Sequence, residues 1–241
     1  TAVAFGADSR RFVPLTLSGP LVPGTRYTLT ASGVADCSGN TATPAPTATL
    51  LLGAVAAAGE VRLTELFVDP SPVVGLPAAQ FVEILNVSTR IFDLSGWQLA
   101  DGSGAAGTLN AGLLAPGQYA VLTRAADTTA YRTLLGPSAR IVGINSLPTL
   151  NITGDAVRLH TPTGLLVDAV RYTDDWYRDP VKDDGGWSLE KINPTKPCSD
   201  ADNWIASTDP RGGTPGRQNS VFSNAPDTTP PNTPAEAQDG I

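Results

Sequence analysis

Methionine is absent from these 241 residues, histidine occurs once and cysteine twice. The single histidine, His160, rules out His-based metal clusters and leaves a Ser/His/Asp triad resting on one residue before a turn. Cys37 in "ADCSGN" and Cys198 in "TKPCSDADNW" have no CxxC spacing and no neighbouring histidine, so a zinc site is not expected. They are candidates for one disulfide, with two unpaired thiols as the other reading. Charge is also sparse. Only 16% of residues are charged, the net charge is −7, and the 16 basic residues are scattered. No basic stripe exists to track phosphates, which excludes nucleic acid as a partner class. No apolar run approaches the roughly 18 residues of a membrane span; "ATLLLGAVAAAG" is short and broken by glycine. With Thr1 at its start and no methionine, the chain reads as an excised piece of a longer precursor.

What the chain has in quantity is punctuation: 24 glycines and 21 prolines, with no collagen-like period. That density suits short strands and turns, and 41% apolar residues are enough to build a core. Residues 12–30, "FVPLTLSGPLVPGTRYTLT", read as strand, turn, strand across Pro23-Gly24. Residues 41–60 are rich in Thr, Pro and Ala and read as a linker or boundary. From Glu60 the pattern sharpens. "EVRLTELFVDPSP" alternates, with Val61, Leu63, Glu65 and Phe67 on one face and Arg62, Thr64, Leu66 and Val68 on the other. Further strands are expected in "AAQFVEILNVS", "FDLSGWQLADG" and "GLLAPGQYAVLT", on both sides of the Thr161–Gly164 turn, and in "GGWSLEKINP". One helix is expected within 124–138, with Asp127 as N-cap and Gly136 as its stop. The tail 223–241 reads as a disordered Pro/Thr-rich linker.

These stretches carry a resemblance. "LVPGTRYTLTASGVADCSGN" resembles the end of bacterial immunoglobulin-like domains, so residues 1–50 are expected to be the C-terminal part of one. "EVRLTELFVDPSP", "FVEILNVSTRIFDLSGWQLAD", "LAPGQYAVLT", "GDAVRLHTPTGLLVDAVRY", "GGWSLEKINP" and "NWIASTDPRGGTPGRQN", in that order over 58–222, resemble the lamin tail domain in its bacterial form. The resemblance implies an all-β chain: an immunoglobulin-like β-sandwich with one short helix, behind a partial β segment. It also implies a non-catalytic module of a secreted or cell-surface multidomain protein that serves spacing, adhesion or domain anchoring, with no cofactor. Its partners would be neighbouring domains of the same precursor, and protein or polysaccharide. The alternative is a carbohydrate- or wall-targeting module on an extracellular hydrolase or nuclease.

One residue resists the pattern. Glu83 stands between Phe81 and Leu85 in an otherwise apolar strand, and Glu65 does the same on the strand before it. A buried carboxylate has to be hydrogen-bonded or paired, or it takes up a proton. Three readings compete, and the first is favoured: structural carboxylates bonded to turn donors; a calcium site from Glu65, Asp69 and Glu83, since hard cations collect several oxygens; and a general acid/base pair. The remaining motifs are weaker. "GSGAAG" (102–107) fits GxGxxG, but no helix can start after it, so it reads as a turn. "DPVKDDGGWSLE" fails the EF-hand pattern at its third and sixth positions. Trp97, Trp187 and Trp204 each follow a turn and read as core, whereas Trp176 and Tyr177 read as a surface contact for sugar or protein.

Overall fold

The computed structural model describes residues 15–196 and 200–225. The chain divides into two compact units, Thr1–Val55 and Ala56–Ile241.

The first unit holds one antiparallel hairpin, β1 (Arg26–Thr30) with β2 (Thr47–Leu51). Tyr27 and Leu29 share one face with their partners Leu50 and Ala48, and Leu29 and Leu50 are about half exposed there (49% and 52%). β2 lies inside the segment expected to be a linker. The alternation of "TATLL" suits a pleated strand once β1 supplies an edge, and composition alone hid that. The first strand expected over 12–30 begins outside the described residues, as does the tail from residue 226.

The second unit is the β-sandwich. Its strands are β3 (Val61–Phe67), β4 (Phe81–Asn86), β5 (Phe92–Asp93), β6 (Gln98–Ala100), β7 (Ala106–Thr108), β8 (Leu113–Leu114), β9 (Tyr119–Arg124), β10 (Ile141–Ile144), β11 (Gly154–His160), β12 (Leu166–Thr173), β13 (Leu189–Lys191) and β14 (Trp204–Ala206). One sheet runs β10-β9-β4-β3-β13-β14 and the other β12-β11-β6-β7, with β5-β8 as a small pair. Every pairing is antiparallel except β9 with β10. Between these two parallel strands lies helix α1 (Thr128–Leu135). Asp127 precedes α1 but makes no side-chain cap bond; Gly136 ends it at φ +84° with its N–H on Arg132 O. A second helix, α2 (Pro180–Asp183), is a single turn capped by Asp179. Among the described residues no helix is long and apolar enough to cross a membrane.

A bulge decides which side chains meet. Register shifts between Leu63 and Glu65, so Leu63 pairs with Ile84 and Glu65 with Glu83. Simple alternation puts Leu63 with Glu65. The extra residue, Thr64, instead leaves Leu63 on the face of Leu66, Val82 and Ile84, toward the second sheet, and turns its own hydroxyl to Glu83. Glu65 and Phe67 face outward. There α1 and the 76–79 loop cover the sheet: Phe67, Leu76, Ala79, Phe81, Val121 and Tyr131 form one buried cluster. Phe81 meets Phe67 at 5.5 Å and Tyr131 edge-on at 5.4 Å, and the Tyr131 hydroxyl donates to Ala79 O at 2.6 Å. Each of these large side chains contributes ~1.5–3 kcal/mol by leaving water. The all-β class, the immunoglobulin-like sandwich and the short helix are therefore what this unit forms.

Candidate functional site

Beyond the aromatic cluster, the outward face of the six-stranded sheet carries a row of acids. Glu83 on β4 stands opposite Glu65 on β3, and Glu65 stands opposite Glu190 on β13. Val121 and Ile205 flank the row on β9 and β14. All three carboxylates are fully buried.

What buries them is the chain's own C-terminal strap, residues 213–221. Glu65 Oε1 accepts from Ser188 Oγ at 2.6 Å and from the Thr214 N–H at 2.8 Å. Glu83 accepts from Thr64 Oγ1 at 2.8 Å and from the Gly216 N–H at 2.5 Å. Glu190 accepts from Thr214 Oγ1, Ser220 Oγ and the Val221 N–H at 2.8, 2.7 and 3.2 Å. Asn219 adds neutral bonds to Thr64 O and Lys191 O. Two glycines let the strap come this close. A Cβ on Gly213 would lie 2.6 Å from Glu65 Oε1, and Gly216 sits at φ +83°.

The electrostatics follow from burial without a countercharge. Burial first, then the charge of Glu190, pushes Glu65 up to about 8, although Ser188 and Thr214 pull it back. Burial and the charge of Glu65 raise Glu83 well above the usual carboxylate range. Side chains directly opposite across strands have Cβ atoms ~4.5–5.5 Å apart. Ionising both members of such a pair costs about 3 kcal/mol at an effective dielectric near 20. Tyr119, burdened by burial and by the Glu83 charge, moves up to about 12. Glu65 Oε2 has no hydrogen-bond partner among the described residues.

Chemically, this row fastens a segment. Apart from Glu65 Oε2, its oxygens accept from the strap and from neighbouring hydroxyls. Replacing Glu83 by alanine strands the Gly216 N–H and the Thr64 hydroxyl, at about 1–3 kcal/mol. Denaturant unfolding is expected to show that loss, and an unchanged midpoint would refute the fastening role.

A second polar cluster joins the two sheets. Asp168 on β12 accepts from the Leu63 N–H at 2.8 Å and from Arg62 at 3.1 Å, and lies 3.9 Å from Lys191 Nζ. Lys191 is fully buried, with its ammonium 5.7 Å from the Trp204 ring centre.

The other expected sites fall as follows. Asp69 does not join Glu65 and Glu83: its Oδ1 accepts from the Ser71 N–H in its own turn. Among the described residues no group of three His, Cys, Asp or Glu side chains is placed to hold a metal ion. Tyr177 is buried (3% exposed), with its hydroxyl on Trp187 O, so it is no surface contact. The short 3-10 turn Asp174–Tyr177 rolls it inward, and Trp176 stays half-buried. Trp97 and Trp204 are core, but Trp187 is only half-buried, with the Lys182 ammonium 4.8 Å from its ring centre. His160 closes β11, half-buried. "GSGAAG" leads into β7 over a turn held by Asp101. Cys37 is exposed; Cys198 lies outside the described residues, and so does the choice between a bridge and two thiols.

Glu190, Asp168 and Lys191 were not anticipated. The available signal was a charged residue at a strand position whose neighbours are apolar, as in "SLEKI" and "LVDAV".

No curated protein matches the chain. The family model described as Lamin Tail Domain matches residues 54–174, from just ahead of β3 through β12. That family is an immunoglobulin-like, non-catalytic domain. With half the chain matched and the sandwich in place, this protein belongs to the lamin tail domain family.

Proposed function

We propose that the chain is a non-catalytic structural and interaction module of a secreted or cell-surface multidomain protein, acting by spacing, adhesion or anchoring of neighbouring domains. The observation that supports this reading is the carboxylate row. The acids a hydrolase would turn toward substrate are instead fastened to the domain's own last segment. Its partners are then the adjoining domains, with protein or polysaccharide contacts at the surface and no nucleic acid, and it needs no cofactor.

Trp176, half-buried with an edge open beside Asp174 and Asp175, supports a second reading, a carbohydrate- or wall-targeting module on an extracellular hydrolase or nuclease. Incubating the chain with insoluble cellulose, chitin and peptidoglycan separates the two. The expected result is no retention and no release of soluble sugar. Retention that Trp176→Ala abolishes at unchanged melting temperature would replace the first reading by the second. Sugar release lost in Glu83→Gln, with the fold intact, would overturn both.

A further inference from the structure

We propose that the first part of the strap, residues 213–218, is a detachable latch: it is closed over the six-stranded sheet while Glu65 and Glu83 carry little charge, and it opens when they ionise.

The geometry carries this. Residues 213–218 reach the sheet through carboxylates: Thr214 bonds Glu65 and Glu190, and Gly216 bonds Glu83. The strap forms no strand of its own. Anchors that do not titrate flank it: on one side the Ser188 N–H on Gly212 O at 2.8 Å, and on the other the Asn219 amide on Thr64 O and Lys191 O and the Thr208 N–H on Ser220 Oγ at 2.8 Å. The segment can therefore lift between two fixed points, with Gly212 (φ +91°) and Gly216 (φ +83°) as pivots.

Among the described residues, no buried cation is placed on the face that carries the row. From α1 it meets Tyr131, from β9 Tyr119 and Val121, and from β14 Ile205. Lys191 follows Glu190 on β13 and so lies on the opposite face, toward Asp168. From the strap comes Arg217, whose side chain is half exposed and paired with Asp209; Arg211, just before the strap, pairs with the same Asp209. Charging Glu65 and Glu83 thus puts like charges, opposite one another across β3 and β4, into a closed space. Lifting the strap admits water to them and leaves the β4-β3-β13 ladder intact. The other walls are the sheet, α1 and the 76–79 loop, which are packed into the aromatic cluster. The direction of titration agrees, since Glu65 and Glu83 both hold their protons past the ordinary carboxylate range.

Hydrogen exchange by mass spectrometry on the full chain from pH 6 to pH 9.5, corrected for intrinsic rates, tests the latch. Amides of 213–218 are expected to lose protection at least tenfold over that range, while those of β3, β4 and β9 keep theirs. Tryptic cleavage after Arg217 is expected to rise in parallel. The double variant Glu65→Gln, Glu83→Gln cannot ionise at these positions and is expected to stay closed at pH 9.5. Strap protection that does not change with pH overturns the proposal. So does strap protection lost together with that of the strands, or a double variant that opens as the wild type does. If the double variant fails to fold, the contrast between strap and strands in the wild type decides alone.

Discussion

Replacing Asp168 by alanine is expected to cost about 3–5 kcal/mol, the usual penalty for breaking a buried ion pair from one side. Three groups lose the Asp168 carboxylate at once: the Leu63 N–H and the Arg62 guanidinium, which bond it, and the buried Lys191 ammonium, which pairs with it at 3.9 Å. The first two sit on β3 and the third on β13, so one carboxylate holds β12 to both neighbouring strands of the other sheet. At roughly 2–4 °C per kcal/mol for a domain of this size, thermal unfolding should fall by roughly 6–20 °C. Asp168→Asn keeps the shape and an acceptor for Leu63 but removes the charge, and is expected to fall between wild type and Asp168→Ala. If both variants melt with the wild type, the cluster contributes nothing and the two sheets are held by apolar contact alone.

Stability is expected to fall as pH rises from about 4.5 to about 8. Glu65 has its folded value raised from 4.5 to about 8, so the native state binds a proton that the unfolded chain has released. Its contribution is fully present below 4.5 and is lost as pH climbs through 8. One such proton gives a slope of at most ~1.4 kcal/mol per pH unit. Glu83 shifts the same way and adds to the slope. Glu60 and Asp209 work in the opposite sense. The bonds of Glu60 to Arg90 and the Ala57 N–H, and those of Asp209 to Arg211 and Arg217, outweigh partial burial and lower both values. Their contribution is present above the unfolded values of 4.5 and 3.8 and is lost as pH falls through the lowered ones. The stability maximum should therefore lie near the lower end of the range, at about pH 5. Denaturant titrations at pH 5, 6.5 and 8 measure it. Stability that rises toward pH 8 would mean that Glu65 and Glu83 are ionised and well solvated in the native state.

Much of this architecture can be read from local pattern. Alternation with Gly and Pro punctuation marks β3, β4, β9, β11 and β12, and Gly136 marks the end of α1. Glu83 stands out as an anomaly because its neighbours on the strand are apolar. What local pattern does not carry is which strands become neighbours. Glu190 belongs with Glu65 only because β13 pairs beside β3 after a separation of more than a hundred residues, and "SLEKI" says nothing of that by itself. The same holds for Asp168, whose partners come from another sheet. The bulge at Thr64 escapes the period-two rule because one extra residue is invisible in a strand of seven. Tyr177 was misplaced for a related reason. An acidic neighbourhood suggests a surface, but a single turn of 3-10 helix carries one side chain out and the next one in.

The strap also has a bearing on the order of assembly. Its bonds to Glu65, Glu83 and Thr64 span 149, 133 and 155 residues, so they close only after nearly the whole unit has been synthesised. Contacts of such long sequence range slow folding, because the loop must be closed before any of them rewards it. A nascent chain that has completed β3, β4 and β9 still presents two acids on an uncovered sheet. Those charges keep that surface wetted and discourage it from sticking to another unfinished copy until the final residues emerge to seal it.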